Sequence, residues 1–267
     1  MRRQMIFGVF LVVAIVAFFA LASGGREGDQ PLRVAAAADL HLAFTEISRL
    51  FEAETGQKVV LIFGSTGLLT KQIEQGAPVD VFAAAGAQFM EKLDGQKLLL
   101  SGSKRLYAYG RLALVMRDAK RIQNFSGPPE VMGARDLSVL LDSQVRKVAI
   151  ASPTHAPYGL AARQALNRSG LWERLQPKIV YARDVRDALQ FVQTGNADVA
   201  LVAASLLAGT KEPLRAWLVE GSLYDPPRQT LAIVRTTKRA KMSRVFVDFV
   251  TGLKGRQILE KYGFRLP

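Results

Sequence analysis

Two periods alternate along the chain. Leu32-Arg-Val-Ala-Ala-Ala-Ala38 is a short apolar run that predicts a buried strand. Phe44, Ile47, Leu50 and Phe51 then recur at helical spacing, and Gly56 stands where that helix stops. Residues 59–63 predict a second strand, 68–74 a helix, 79–83 a third strand and 89–93 a further helix. That βαβαβ order is the signature of a parallel sheet with helical crossovers. An extended apolar stretch follows over 104–117, and residues 118–133 are rich in turn formers. A second series then begins: strand 145–151, helix 160–167, strand 179–182, helix 185–193 and strand 199–203. Beyond Gly209, Pro213 and the Pro226-Pro227 pair, residues 229–234 predict a strand. Residues 243–253 predict an amphipathic helix with Val245, Phe246, Phe249 and Val250 on one face. The pattern gives two α/β lobes with the tail returning to the first, and no fixed short period that would indicate a solenoid.

The N-terminus departs from this pattern. Met1-Arg-Arg-Gln opens with two cations, residues 5–22 carry no charge, and Ala20-Leu21-Ala22 precedes Ser23-Gly24-Gly25. Basic start, apolar centre and small-residue end make residues 1–25 a secretory signal peptide. About 20 apolar residues can also span a bilayer, so an uncleaved N-terminal anchor is the alternative. Either way the remainder is exported to the periplasm, and no second apolar run is long enough to span a membrane.

Composition narrows the chemistry. With 49% hydrophobic residues over 267 positions the chain can bury a substantial core. Cysteine is absent, which removes disulfides, thiol nucleophiles and Cys-based metal sites; His41 and His155 are the only imidazoles, so a three-histidine zinc site is impossible. The formal charge is +13, yet the basic residues are dispersed. The densest cluster (Arg235, Lys238, Arg239, Lys241, Arg244) has neither interleaved aromatics nor a nucleic-acid-binding signature. It reads as a solvated helix start or a face attracted to anionic lipid, and no nucleic-acid partner is expected.

Four strand-to-helix junctions carry the candidate chemistry: Ala37-Ala38-Asp39, Gly64-Ser65-Thr66-Gly67, Pro157-Tyr158-Gly159 and Arg183-Asp184-Val185. Parallel α/β sheets bind ligands beyond the carboxyl ends of their strands, where helix N-termini offer unpaired N–H groups and partial positive charge suited to an anion. Each junction alone is equally explained by helix capping; two in each lobe could face one cleft. Enzyme signatures are lacking. Gly64-Ser65-Thr66-Gly67 is neither a nucleophile elbow nor a P-loop. His155 as a base for Ser65 is set against an ordinary loop histidine. The pairs Asp80 with Glu74 and Asp184 with Asp187 read as caps or solvated groups, and Trp172 and Trp217 as core or edge packing. No catalytic residue is assigned, and an exported enzyme on the same fold is the remote alternative.

Together these stretches resemble the periplasmic molybdate-binding proteins of ABC importers, over nearly the whole exported chain. The most specific segment is Phe63-Gly-Ser-Thr-Gly-Leu-Leu-Thr-Lys-Gln-Ile-Glu-Gln-Gly-Ala-Pro-Val-Asp-Val-Phe82. Ala151-Ser-Pro-Thr-His-Ala-Pro-Tyr-Gly-Leu-Ala-Ala162, Asp184-Val-Arg-Asp-Ala-Leu189, Gly195-Asn-Ala-Asp198 and Lys261-Tyr-Gly-Phe264 are also similar to the family. The resemblance implies a two-lobe, periplasmic-binding-protein-like α/β fold of type II, with mixed, mostly parallel sheets, crossing strands, a hinge and an interlobe cleft. The expected division is 31–113 plus 222–267 for lobe 1 and 114–221 for lobe 2. The implied ligand is a tetrahedral oxyanion, molybdate or tungstate, as cargo and not as cofactor. The implied partners are an ABC permease and its ATPase, and the implied state is a monomer. Carried over by position, Thr66 supplies a hydroxyl with Ser65 beside it, Tyr158 and Val185 supply N–H groups, and Asp39 its N–H. Asp39, Thr66, Tyr158 and Val185 are thus contacts to the oxyanion's oxygens, not direct ligands of its metal atom. Two positions depart. The family commonly places Ser or Thr, often with Asn beside it, where this chain has Ala38 and Asp39, and a tyrosine of some members corresponds to Ala203. An ionised Asp39 facing the cleft would repel a dianion and favour a protonated oxyanion such as hydrogen phosphate, or another small anion. Turned away, it would cap the following helix.

Overall fold

The computed structural model describes residues 30–117, 137–210 and 214–267. The signal or anchor segment 1–25 and the turn-rich stretch 118–133 lie outside these. Among the described residues ten strands form two five-stranded mixed sheets. In the first, β1 (Leu32–Ala37) lies between β2 (Val59–Gly64) and β3 (Val81–Ala84) and is parallel to both, while β10 (Arg228–Ile233) runs antiparallel between β3 and β4 (Arg105–Tyr109). The second repeats the plan. Its β6 (Val148–Ala151) is parallel to β7 (Ile179–Ala182) and β8 (Val199–Ala203), and β5 (Leu112–Met116) runs antiparallel between β8 and β9 (Arg215–Leu218). The chain crosses from the first sheet to the second between Tyr109 and Leu112 and returns between Leu218 and Arg228. The lobe change expected at 113/114 therefore lies inside β5.

Among the described residues eight α-helices cover the sheets: α1 (His41–Thr55), α2 (Thr66–Glu74), α3 (Ala87–Gly95), α4 (Pro157–Arg168), α5 (Trp172–Leu175), α6 (Val185–Gln193), α7 (Ala240–Thr251) and α8 (Leu253–Lys261). Each predicted strand and helix within the described residues has a counterpart, and α1 ends on Gly56 at φ 72°, a left-handed conformation that glycine adopts without strain. Three divisions differ from the pattern. The stretch 104–117 is two strands in different sheets, because the chain breaks at Gly110, whose N–H donates to the Pro227 carbonyl (2.8 Å). Trp217, read as packing, sits fully buried in the four-residue β9. The helix over 243–253 stops at Thr251, and extended Gly252 separates it from α8.

Packing explains the composition. Ala35, Ala36 and Ala37 in β1 are all buried, and small residues there let helices approach the sheet closely. Phe44 and Phe51 of α1 meet Phe246 of α7 edge-on at 6.3 and 5.1 Å. Burial of each such ring contributes about 1.5–3 kcal/mol, which fastens the returning tail to the first lobe.

Candidate functional site

The carboxyl ends of β1, β2, β6 and β7 lead into the four junctions, which meet between the two lobes. One cavity between them is lined by Ala37, Ala38 and Asp39, by Gly64, Ser65 and Thr66, by Ala85, by Ala156, Pro157 and Tyr158, and by Asp184 and Val185. All five residues singled out from the sequence, Asp39, Ser65, Thr66, Tyr158 and Val185, are brought together, and all four junctions contribute. A 3-10 turn (Ala38–Leu40) and the first residues of α2, α4 and α6 point their ends at this space. First-turn N–H groups have no acceptor in their own helix. No Lys or Arg among the described residues lines the cavity, so the positive potential at the helix ends is that of peptide dipoles. Ala203 ends β8 and is not part of the lining.

The side chains take distinct parts. Thr66 Oγ1 accepts from the Ala85 N–H at 3.3 Å, which leaves its own hydroxyl hydrogen to give. Ser65 Oγ lies 2.7 Å from the His155 carbonyl oxygen and 2.8 Å from His155 Nδ1, and the Gly67 N–H donates to the same carbonyl at 2.9 Å. A hydroxyl has one hydrogen, so the consistent arrangement has Ser65 donating to the carbonyl and His155 Nδ1–H donating to Ser65. Desolvation holds His155 below its ordinary pKa, with Lys71 acting in the same direction and Asp184 against it. Ser65 and His155 thus clasp the lobes together. This is not a nucleophile and base, since the serine proton goes to a carbonyl and no carboxylate hydrogen-bonds the imidazole among the described residues. The carboxylate pairs are structural too. Asp184 caps α6 by accepting from the N–H groups of Arg186 (2.9 Å) and Asp187 (3.0 Å). Asp80 accepts from the Arg33 N–H and the Thr237 hydroxyl and pairs with Arg239, whereas Glu74 pairs with Lys92 on the surface.

Asp39 corrects the expectation that it caps the next helix. Neither the 3-10 turn nor α1 has a side-chain cap. The carboxyl turns into the interlobe interior, 1% exposed, where Oδ2 accepts from Gln229 Nε2 at 2.6 Å and Oδ1 has no partner. Burial raises its pKa to about 7. The Tyr158 hydroxyl lies close enough to favour the ionised form but does not reach hydrogen-bond geometry, and the Gln229 amide and Asp39's own N–H also lower the value. Desolvation beside this carboxyl pushes the phenols of Tyr158 and Tyr107 well above their usual range. From the second lobe, Ser205 Oγ donates to the Asp39 carbonyl at 2.8 Å, a second bond across the cleft. Gln229, Tyr107 and Ser205 escaped the sequence reading. The available signal was a glutamine at the start of a strand that continues Thr-Leu-Ala-Ile.

Two α/β lobes joined by crossing strands, with helix N-termini converging between them, define a solute-binding protein of the hinged type. The family model described as bacterial extracellular solute-binding protein matches residues 32–265, and the chain belongs to that family. It is 35% identical to the molybdate-binding protein ModA of Azotobacter vinelandii over 258 residues, covering 96% of this chain and 97% of that protein. It is 33% identical to ModA of Rhodobacter capsulatus, with 94% and 93% covered. The solved periplasmic molybdate-binding protein of Azotobacter vinelandii superposes with a TM-score of 0.79 at 32% identity, over 88% of this chain and 99% of that one.

Proposed function

We propose that this chain is the periplasmic receptor of an ABC importer and captures molybdate, or tungstate, between its lobes for delivery to a membrane permease driven by an ATPase. The observation that carries the reading is the convergence of four helix or turn N-termini, two from each lobe, on one cavity without a cation. Such a site holds a small anion by N–H groups and dipoles, keeping its charge without burying an ion pair. The N–H groups of Asp39, Thr66, Tyr158 and Val185 and the Thr66 hydroxyl meet the oxyanion's oxygens; Ser65 contributes its backbone, because its hydroxyl closes the clasp. The oxyanion is cargo, and the protein performs no reaction on it. It works as an exported monomer, and no helix among the described residues is long and apolar enough to cross a membrane.

Isothermal titration with molybdate, tungstate, sulfate and phosphate tests this. Molybdate and tungstate are expected to bind at one site per chain, with sulfate and phosphate much weaker. Phosphate binding with none of molybdate would replace the reading by one in which the ligand brings its own proton to the Asp39 carboxylate.

A further inference from the structure

The oxyanion reading leaves one group unexplained: a carboxyl buried in the anion site. We propose that Asp39 enters the closed site as a neutral carboxylic acid whose Oδ1–H is donated to the bound oxyanion, so that capture of the dianion takes up one proton from solvent. The inference rests on the oxyanion reading and names a donor and a proton linkage for that site.

The geometry separates the two carboxyl oxygens. Oδ2 is engaged by Gln229 Nε2, whereas Oδ1 is buried without a partner, in a residue that lines the cavity. As a carboxylate, Oδ1 would be a buried acceptor beside a dianion with only the Tyr158 hydroxyl near it, short of hydrogen-bond geometry, an unfavourable arrangement. As an O–H, it requires an acceptor, and the oxyanion is an acceptor on every oxygen. The first loop otherwise supplies no hydroxyl, since Ala38 precedes Asp39. A protonated Asp39 therefore restores a side-chain donor to that loop.

Among the described residues no cation bonds to the carboxyl. The groups facing it are Gln229 from β10, Tyr158 from α4 and Tyr107 from β4, with Ser205 on its carbonyl. His41, two residues on, is held below its ordinary pKa by desolvation and by Arg186 of α6, and His155 across the cleft is likewise depressed. The three neighbouring phenols, Tyr107, Tyr158 and Tyr224, are all raised above their usual range. Among these groups Asp39 is the one whose pKa is brought up to about 7, whereas both imidazoles are lowered.

The sign follows from linkage. Burial in this closed arrangement raises the Asp39 pKa from 3.8 to about 7, and a dianion beside it raises it further; parting the lobes would expose the carboxyl and return it toward 3.8. The bound state therefore holds more protons than the free state, so affinity falls as pH rises, by up to tenfold per unit, until the bound-state pKa is passed. Molybdate and sulfate are dianions throughout the neutral range and add no proton of their own.

The test is calorimetric titration of the full chain with molybdate at pH 6 and pH 8, in buffers of different ionisation heat. The wild type is expected to bind tenfold or more weakly at pH 8, with proton uptake approaching one per site. Asp39→Asn places an amide donor at Oδ1 without a titratable proton; it is expected to bind with less than a threefold pH dependence and no uptake. Wild-type binding that is flat with pH and releases or takes up no proton overturns the inference, as does an Asp39→Asn protein that keeps the wild-type slope. Because uptake is measured on the wild type, misfolding of the variant leaves the test intact. Failure of the wild type to bind any of the four oxyanions at either pH overturns the oxyanion reading and this inference with it. Binding without proton uptake overturns this inference alone.

Discussion

Gly67 separates closure of the lobes from stability of the fold. It lies in the first turn of α2, and its φ is not among the positive values, so its backbone accepts any residue. Alanine there favours the helix by up to about 1 kcal/mol. In the closed arrangement, however, the new Cβ would stand 2.8 Å from both Cβ and the carbonyl oxygen of His155 and 3.0 Å from its Cα, where ordinary contact begins at 3.4 Å. These are backbone or backbone-fixed atoms, so no rotamer change relieves the clash. The lobes must part, which lengthens the Gly67 N–H bond to the His155 carbonyl (2.9 Å) and the Ser65 hydroxyl bond to the same oxygen (2.7 Å). Two hydrogen bonds at about 1 kcal/mol each, with some residual overpacking, make about 2–3 kcal/mol against the closed form only. Gly67→Ala is thus expected to weaken molybdate binding roughly 30- to 150-fold, while the Tm of the ligand-free protein stays level or rises slightly. Titration calorimetry and thermal melts of the same preparations read the two effects. A Kd within threefold of wild type would mean that the bound form does not use this contact. A ligand-free Tm falling in step with affinity would mean that the clash acts on folding instead of closure.

Other perturbations read other parts of the site. Thr66→Val removes a hydroxyl with its shape kept, and a hydrogen bond to a charged partner is worth about 1.5–3 kcal/mol; a loss of roughly 10- to 100-fold in molybdate affinity is expected, with Thr66→Ser near wild type by the same titration. Asp184→Ala uncaps α6 and should lower ligand-free stability by about 1 kcal/mol in denaturant melts, with Asp184→Asn losing far less. Because the closed form holds Asp39 with a raised pKa, its favourable contribution to the stability of the molybdate-bound protein is full below about 3.8 and is lost as pH rises through about 7. In saturating molybdate the Tm of Asp39→Asn relative to wild type should therefore climb between pH 5 and pH 8, and without ligand it should stay level; a constant difference in both would show that the carboxyl stays solvated on closure.

What could be read in advance was whatever repeats locally. Strand β1 is apolar at nearly every position, α1 carries Phe44, Ile47 and Phe51 at helical spacing, and the junctions announce themselves by small and hydroxyl residues where a strand gives way to a helix. The division of 104–117 into β4 and β5 was hidden because both strands are apolar and the break is a single Gly110 held by Pro227, more than a hundred residues away. The site shows the same limit. Position along the chain identified Asp39, Thr66, Tyr158 and Val185 as neighbours of helix N-termini. It could not say that Ser65 would find His155 or that the Asp39 carboxyl would turn to Gln229 in place of a cap, since those partners are 90 and 190 residues distant in sequence.

The bonds that cross the cleft beside the cavity also bear on how a ligand can drive closure. Gly67 and Ser65 to the His155 carbonyl, and Ser205 to the Asp39 carbonyl, are the cross-cleft donors closest to the junctions. At about 1 kcal/mol net apiece they stabilise the closed form by a few kcal/mol, and closure opposes them by desolvating the Asp39 carboxyl. Opposing contributions of similar size leave two arrangements close in free energy, and a ligand that touches all four junctions only when the lobes are together then decides between them. The same carboxyl that resists closure in the absence of ligand becomes, once protonated, a donor to the captured anion. A permease that docks only the closed form would thereby distinguish loaded from unloaded receptor, with no Lys or Arg among the described residues lining the cavity.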